Sequence, residues 1–350
     1  MTDSIDFPQA DKATGCLHPR ETYNLIGHNQ AELVFLRAIR SDKLHHAWLL
    51  TGQKGVGKAT LAYRMIRTIL GGQSRLETSI DVTEQDPVAQ RIQSLGHGDF
   101  FLLRRPYDHK SKKLRSEIPV AETRKLQDFF SHKASEGGWR VCLVDSMDEM
   151  NRNAENGILK ILEEPPEKSI IILLSSAPGR LLPTIRSRCQ ILSLRPVSLE
   201  DIASWLRSLD KWDDELIGSA SQLSRGAPGK ALALMQNADD VLKPLQLFLK
   251  SLEKGDARVD QKLANTLSGN GFSLQRQLFW DALEDILHAQ AIYSLTGEWQ
   301  GAFGPMSASK TPSTWQRLWQ QVGHFKSRES AINMDKKTVM QDVLSGIRTA

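Results

Sequence analysis

The chain has 350 residues, 40% of them hydrophobic and 25% charged, with a formal net charge of +4. This is ordinary globular usage, and at about 150 residues per domain it predicts two or three domains. Its three cysteines, Cys16, Cys142 and Cys189, are odd in number and far apart, which argues against a disulfide framework or a four-thiolate zinc site and favours a reducing compartment.

Residues 1–17 read as a loose polar tail with no secretory signal. The purest apolar run, 170–174, is too short to span a bilayer, so a soluble intracellular protein is expected. Short Val/Ile/Leu/Phe runs at 47–50, 100–103, 141–144 and 170–174 suit strands buried on both faces, and a weaker run at 191–194 is broken by Ser193. Helical patterns lie between them. Residues 60–70 place Leu61, Met65, Ile66 and Ile69 on one face and stop at Gly71-Gly72. Residues 153–164 carry Ile158, Leu159, Ile161 and Leu162 and stop at Pro165-Pro166. The alternation predicts an α/β fold with a mostly parallel sheet covered by helices.

After Pro196 the pattern is helical. Stretches at 199–209, about 213–223 and 228–235 form a small all-α segment. Further on, Ser273 is placed to cap a long helix bearing Leu274, Leu278, Ala282, Ile286 and Tyr293. Residues 296–313, rich in Gly, Ser and Pro, read as a loop. Trp315, Leu318, Trp319, Val322 and Phe325 form another stripe, read as core or subunit interface rather than a ligand box. Val339, Val343 and Ile347 form a last one, and no internal repeat is present.

Two strings carry chemistry. Gly52-Gln53-Lys54-Gly55-Val56-Gly57-Lys58-Ala59 follows a strand and opens a helix, the context a phosphate-binding loop requires. Its glycines let backbone N–H groups converge on a phosphate, and Lys58 adds a point charge. Yet Ala59 stands where a Ser or Thr hydroxyl would hold Mg²⁺, and Thr60 is turned about 100° away on the helix. The second string, Val141-Cys142-Leu143-Val144-Asp145-Ser146, ends a buried strand in an aspartate suited to orient Mg²⁺. Ser146 then stands where a hydrolytic P-loop ATPase has the glutamate that orients water. Losing such a base removes roughly 10²–10⁴ in rate. Asp148 and Glu149 are set aside as a shifted pair, because the residues before Asp148 are not a buried strand.

The strings Asn156-Gly157-Ile158-Leu159-Lys160-Ile161-Leu162-Glu163-Glu164-Pro165-Pro166 and Ser187-Arg188-Cys189 resemble the clamp-loader branch of AAA+ proteins. With His45-His46-Ala47, the altered P-loop and the closing Asn333-Met334-Asp335-Lys336-Lys337, the chain is most similar to the delta-prime subunits of bacterial DNA polymerase III. The resemblance runs from about residue 18 and is strongest over 22–70 and 140–195. It implies an AAA+ P-loop α/β domain over 18–195, a helical lid over 196–240 and a helical collar for oligomerisation over 241–350. It implies Arg188 as an arginine finger acting in trans on a neighbour's ATP site, Arg186 lying off that motif. It makes Ser175, Ser176 and Lys230 sensor positions, with Gly229 where active members place a sensor arginine and Lys230 displaced by one. The degenerate nucleotide site would comprise Gly52, Gly55, Gly57, Lys58 and Asp145, with no catalysis in cis. No cofactor is required, and weak ATP or ADP binding is left open. Many relatives carry a four-cysteine zinc module; residues 71–98 here have no cysteine, so no zinc or other metal is expected. The implied partners are the clamp-loader ATPase subunits and the clamp-opening subunit, with the sliding clamp and primer-template DNA met through the complex in the bacterial cytoplasm. The chain alone would then be no enzyme, but a subunit of a polymerase holoenzyme. The alternative is an active AAA+ ATPase, either a gamma/tau-like motor subunit or another P-loop enzyme.

One string stays outside this reading. Residues 104–115 contain Arg104, Arg105, Lys110, Lys112, Lys113 and Arg115 against a single Asp108. The string reads first as a solvated loop, because no aromatic stacking pattern accompanies it; contact with DNA phosphates is the other reading.

Overall fold

The computed structural model describes residues 8–13, 16–72, 79–136, 138–254, 256–306, 310–331 and 335–349. The Asn333-Met334 part of the closing motif lies outside them. The chain forms two compact units, residues 1–201 with 226–229, and residues 202–225 with 230–350.

The first unit holds strands β1 (Ala47–Thr51), β2 (Phe100–Arg104), β3 (Tyr107–Asp108), β4 (Lys113–Leu114), β5 (Arg140–Asp145), β6 (Ser169–Ser175) and β7 (Gln190–Ser193). Its helices are α1 (Asn29–Arg40), α2 (Lys58–Ile69), α3 (Pro87–Gln93), α4 (Val120–Ser131), α5 (Arg152–Glu163) and α6 (Pro183–Arg186). Five strands make one parallel sheet in the order β2-β5-β6-β1-β7. This is an α/β sheet of parallel strands flanked by helices. Strands β1 and β6 are buried along their whole length, which is why they read as unbroken apolar runs. Alternate residues feed two cores. Trp48, Leu50, Leu143 and Ile172 join Tyr63 and Ile66 of α2 on one face. Ala47, Leu49, Cys142 and Leu173 join Ile158 and Leu162 of α5 on the other. The parallel register sets Thr51 beside Ser175 and Arg104 beside Asp145. The carboxyl ends of these strands therefore gather at one edge, where ligands bind in open α/β sheets.

Residues 104–115 are not an irregular loop. β3 and β4 form an antiparallel hairpin pairing Tyr107 with Leu114 and Asp108 with Lys113.

Helices α7 (Leu199–Ser208) and α9 (Pro228–Gln236) run from the first unit into the second, and α8 (Asp214–Leu223) lies within the second. There follow α10 (Leu242–Lys254), α11 (Arg258–Leu267), α12 (Ser273–Thr296), α13 (Pro312–Ala331) and α14 (Lys336–Thr349). α12 packs along α13, and α11 against α14; Leu283, Ile286, Leu287, Trp315, Leu318 and Val322 are all buried. Ser273 is not the cap of the long helix. It is the first helical residue, and Phe272 precedes it from a 3-10 turn without a side-chain cap bond. Gly297 ends that helix in the left-handed region at φ 74°. Among the described residues no helix is long and apolar enough to cross a membrane.

Candidate functional site

The glycine loop joins the buried β1 to α2, and the chain turns at Gly52 (φ 145°) and again at Gly57 (φ 112°), conformations closed to most side chains. Lys58 opens α2 and is buried. Its ammonium donates to the carbonyls of Gly52 (2.8 Å) and Gln53 (2.9 Å) and to the Ser176 hydroxyl (2.9 Å). Burial, with Lys54 adding, pushes Lys58 down to about 8 against the pull of the Asp145 and Asp148 carboxylates. The lysine is thus satisfied by three oxygens of its own chain. Ala59 packs its methyl against the apolar core.

Asp145 ends β5 beside Arg104. Burial, reinforced by the charges of Asp11 and Glu149, pushes it up to about 7, with Lys58 and Arg104 opposing. Ser146 leads into a 3-10 turn, Met147–Glu149. Asp148, set aside on sequence, turns out to organise this edge. It accepts from the Ser175 hydroxyl (2.6 Å) and from the backbone N–H groups of Ser176 (2.5 Å) and Ala177 (3.4 Å). Ser175 and Ser176 are therefore both held, one by Asp148 and the other by Asp148 and Lys58. Only the Ser175-Ser176 pair at the end of β6 hinted at such an acceptor.

The expected loose tail needs correction over its described part. Asp11 is buried, with His18 Nε2 3.1 Å away and Arg104 as a second partner. Burial alone would raise the Asp11 carboxyl, but the His18 hydrogen bond and the Arg104 charge outweigh it and hold it below its usual range. Residues 1–7, 14 and 15 lie outside the described residues.

Gly229 is in direct contact with the glycine loop. Its N–H donates to the Gly55 carbonyl at 3.0 Å. A Cβ there would lie 3.1 Å from that oxygen and 3.3 Å from Gly55 Cα, so any side chain would press on the loop backbone. Cys16 Sγ lies 3.9 Å from the Gly229 carbonyl oxygen. In the second unit, Lys230 Nζ pairs with Asp285 of α12 at 3.1 Å, and Arg225 holds the other oxygen of that carboxylate at 2.7 Å.

Arg188 follows α6, ahead of the edge strand β7. It is 37% exposed, pairs with Glu163 Oε1 at 3.1 Å and donates to the Thr184 carbonyl at 3.1 Å. Burial pushes the adjacent Cys189 thiol up to about 12. Arg186 is exposed on the last turn of α6. Among the described residues no cluster of three or more His, Cys, Asp or Glu side chains is arranged to hold a metal ion.

Residues 27–198 match a family model described as "DNA polymerase III, delta subunit". DNA polymerase III subunit delta' of Escherichia coli K12 is 31% identical over 192 residues, 55% of either chain. That of Bacillus subtilis 168 is 34% identical over 167 residues, 47% of either chain. DNA polymerase III subunit gamma of Buchnera aphidicola subsp. Schizaphis graminum is 30% identical over 225 residues, 63% of this chain and 59% of that one. The matched region thus spans about half the length of these relatives. A solved gamma subunit-related protein of Thermotoga maritima superposes with a TM-score of 0.45 at 17% identity, over 90% of this chain and 99% of that chain. The chain is thus similar to the delta family model over residues 27–198, and to the delta' and gamma subunits of DNA polymerase III.

Proposed function

We propose that the chain is a non-hydrolysing subunit of the DNA polymerase III clamp loader, the complex that loads the sliding clamp onto primed DNA. In this reading it is a rigid assembly member that lends Arg188 to the nucleotide site of a neighbouring ATPase subunit. One observation carries it: the Lys58 ammonium, which would have to meet a β/γ-phosphate, is bonded to the Gly52 and Gln53 carbonyls and to Ser176. Three features of the cleft support the same reading. Ala59 has no hydroxyl for Mg²⁺, Ser146 has no carboxylate to orient water, and Gly229 brings an N–H to the loop where a sensor cation would act. Arg188, on a sheet-edge turn and partly exposed, can leave Glu163 for a stronger anion at little cost.

The partners in this proposal are gamma/tau-type ATPase subunits and the clamp-opening subunit, with clamp and primed DNA reached through the complex. It needs no cofactor and no zinc. The α/β domain, lid and collar divide at about residues 195 and 240.

ATP hydrolysis by the purified chain tests the proposal. No turnover is expected above background, and no difference between wild type and Lys58→Ala. Gamma-type chains are among the relatives, so the competing reading is a motor subunit. Magnesium-dependent turnover by the chain alone, abolished in Lys58→Ala, would establish that reading instead.

A further inference from the structure

The β3–β4 hairpin takes no part in the cleft or in the Arg188 corner, yet it dominates the charge of the molecule. Residues 104–115 hold six cations and one anion, a net of +5. The whole chain is +4, so the remainder is −1. The basic excess is therefore one local feature and not a diffuse property of the surface.

The hairpin geometry makes these charges available. At its base two cations are spent: Arg104 on Asp11, and Arg105 on Glu149 at 2.8 Å. Toward its tip they are not. Lys110, Lys112, Lys113 and Arg115 are all exposed, and among the described residues none of the three lysines is in an ion pair. The hairpin's own acidic residue, Asp108, is consumed by the turn, where a single oxygen accepts from the N–H groups of Lys110 (2.8 Å) and Ser111 (3.3 Å). Those two bonds also hold the Asp108 carboxyl below its usual range. The tip is held by its own aspartate and by the Arg115 N–H to Pro106 carbonyl bond of 3.0 Å.

We propose that this hairpin is a nucleic-acid contact, in which Lys110, Lys112, Lys113 and Arg115 neutralise backbone phosphates without reading base sequence. An acidic protein surface is the competing partner, and the composition of the tip disfavours it. Protein interfaces are built on apolar and aromatic cores and are depleted in lysine. The tip from Asp108 to Lys113 has no aliphatic side chain and three lysines. A phosphate backbone asks only for exposed, unpaired cations, which the hairpin supplies. The contact rests on the hairpin alone, so it is separable from the proposal made for the cleft.

The test uses the full chain and a Lys110→Gln, Lys112→Gln, Lys113→Gln variant, whose exposed side chains leave the fold intact by circular dichroism. Binding to a fluorescein-labelled duplex and to the matching single strand is followed by anisotropy across a salt series. Each phosphate contact contributes about 0.9 to the slope of log K against log salt on duplex and about 0.7 on single strand. The variant slope should therefore flatten by about 2.7 and about 2.1 respectively. Equal affinities and slopes for the two proteins would overturn the proposal. So would loss of binding to labelled polyglutamate with oligonucleotide binding unchanged, which would reassign the hairpin to an acidic protein.

Discussion

Replacing Arg188 by alanine separates a role in trans from a structural one, because the structure makes the local cost small. Among the described residues the guanidinium has one ion-pair partner, Glu163, and both side chains are more than a third exposed, at 37% and 49%. Such a pair contributes about 0–1 kcal/mol, which corresponds to a Tm change of at most about 2–4 °C. An arginine supplied in trans to a γ-phosphate is worth roughly 10³–10⁵ in rate at the site it serves. The two roles thus predict effects of very different size in two different assays. Arg188→Ala should incorporate normally into a loader reconstituted with its ATPase subunits, and melt within a few degrees of wild type. Clamp-stimulated ATP turnover should fall by at least the share of one site, and further if the sites fire in sequence. Arg188→Lys keeps the charge but loses the planar fork, so it should recover only part of the activity. Unchanged turnover at full incorporation would refute the reasoning. A melting loss well beyond 4 °C would refute the premise that Arg188 is structurally cheap.

Three further outcomes are expected. Arg348→Ala should cost about 3–5 kcal/mol in chemical denaturation, because it strips the buried Asp260 of its Nε contact at 2.8 Å and frees Ser251, bonded at 2.8 and 2.9 Å. Gly157→Ala should destabilise although alanine favours helices by about 1 kcal/mol: its Cβ would meet Thr123 Oγ1 at 2.7 Å, and crowding of this kind costs about 1–3 kcal/mol. Asp145, pushed up to about 7, keeps a proton when folded that it loses when unfolded, so stability falls as pH rises from near 4 to about 7. Asp145→Asn should therefore raise Tm at pH 8 and leave it nearly unchanged at pH 4.

The sheet was legible because strands buried on both faces need no periodicity, only a short run of Val, Ile, Leu or Phe between helical patterns. β1, β5 and β6 appear within a residue or two of those runs. The hairpin was not legible, since two-residue strands of Tyr-Asp and Lys-Leu are too short to show alternation. Asp11 reads as tail because its burial depends on Arg104, 93 positions away, and no local pattern encodes that pairing. Asp148 carries no strand signature in the sequence. It does not end a strand, but a short 3-10 turn brings its carboxylate back to the end of β6. The Gly229 contact with Gly55 had no signal in spacing, and the resemblance alone drew attention to that position.

The glycines of the loop bear on what such a motif proves. A Cβ on Gly52 would lie 2.6 Å from the Leu194 carbonyl, and one on Gly57 would lie 2.9 Å from Leu25 Cδ1. Gly52 is hemmed in by backbone, and both positions have backbone angles that side chains resist, so glycine is favoured there whether or not phosphate ever enters. With Lys58 bonded to the loop's own carbonyls, Gly52, Gly57 and the lysine each have a structural reason that needs no nucleotide. Gly52→Ala gives this a direct check. If the loop is a packing element, the substitution should lower Tm in nucleotide-free buffer, as strained backbone and a 2.6 Å contact both oppose it. A variant that melts like wild type without nucleotide, and differs only when ATP and magnesium are added, would mean that the glycines serve a phosphate after all.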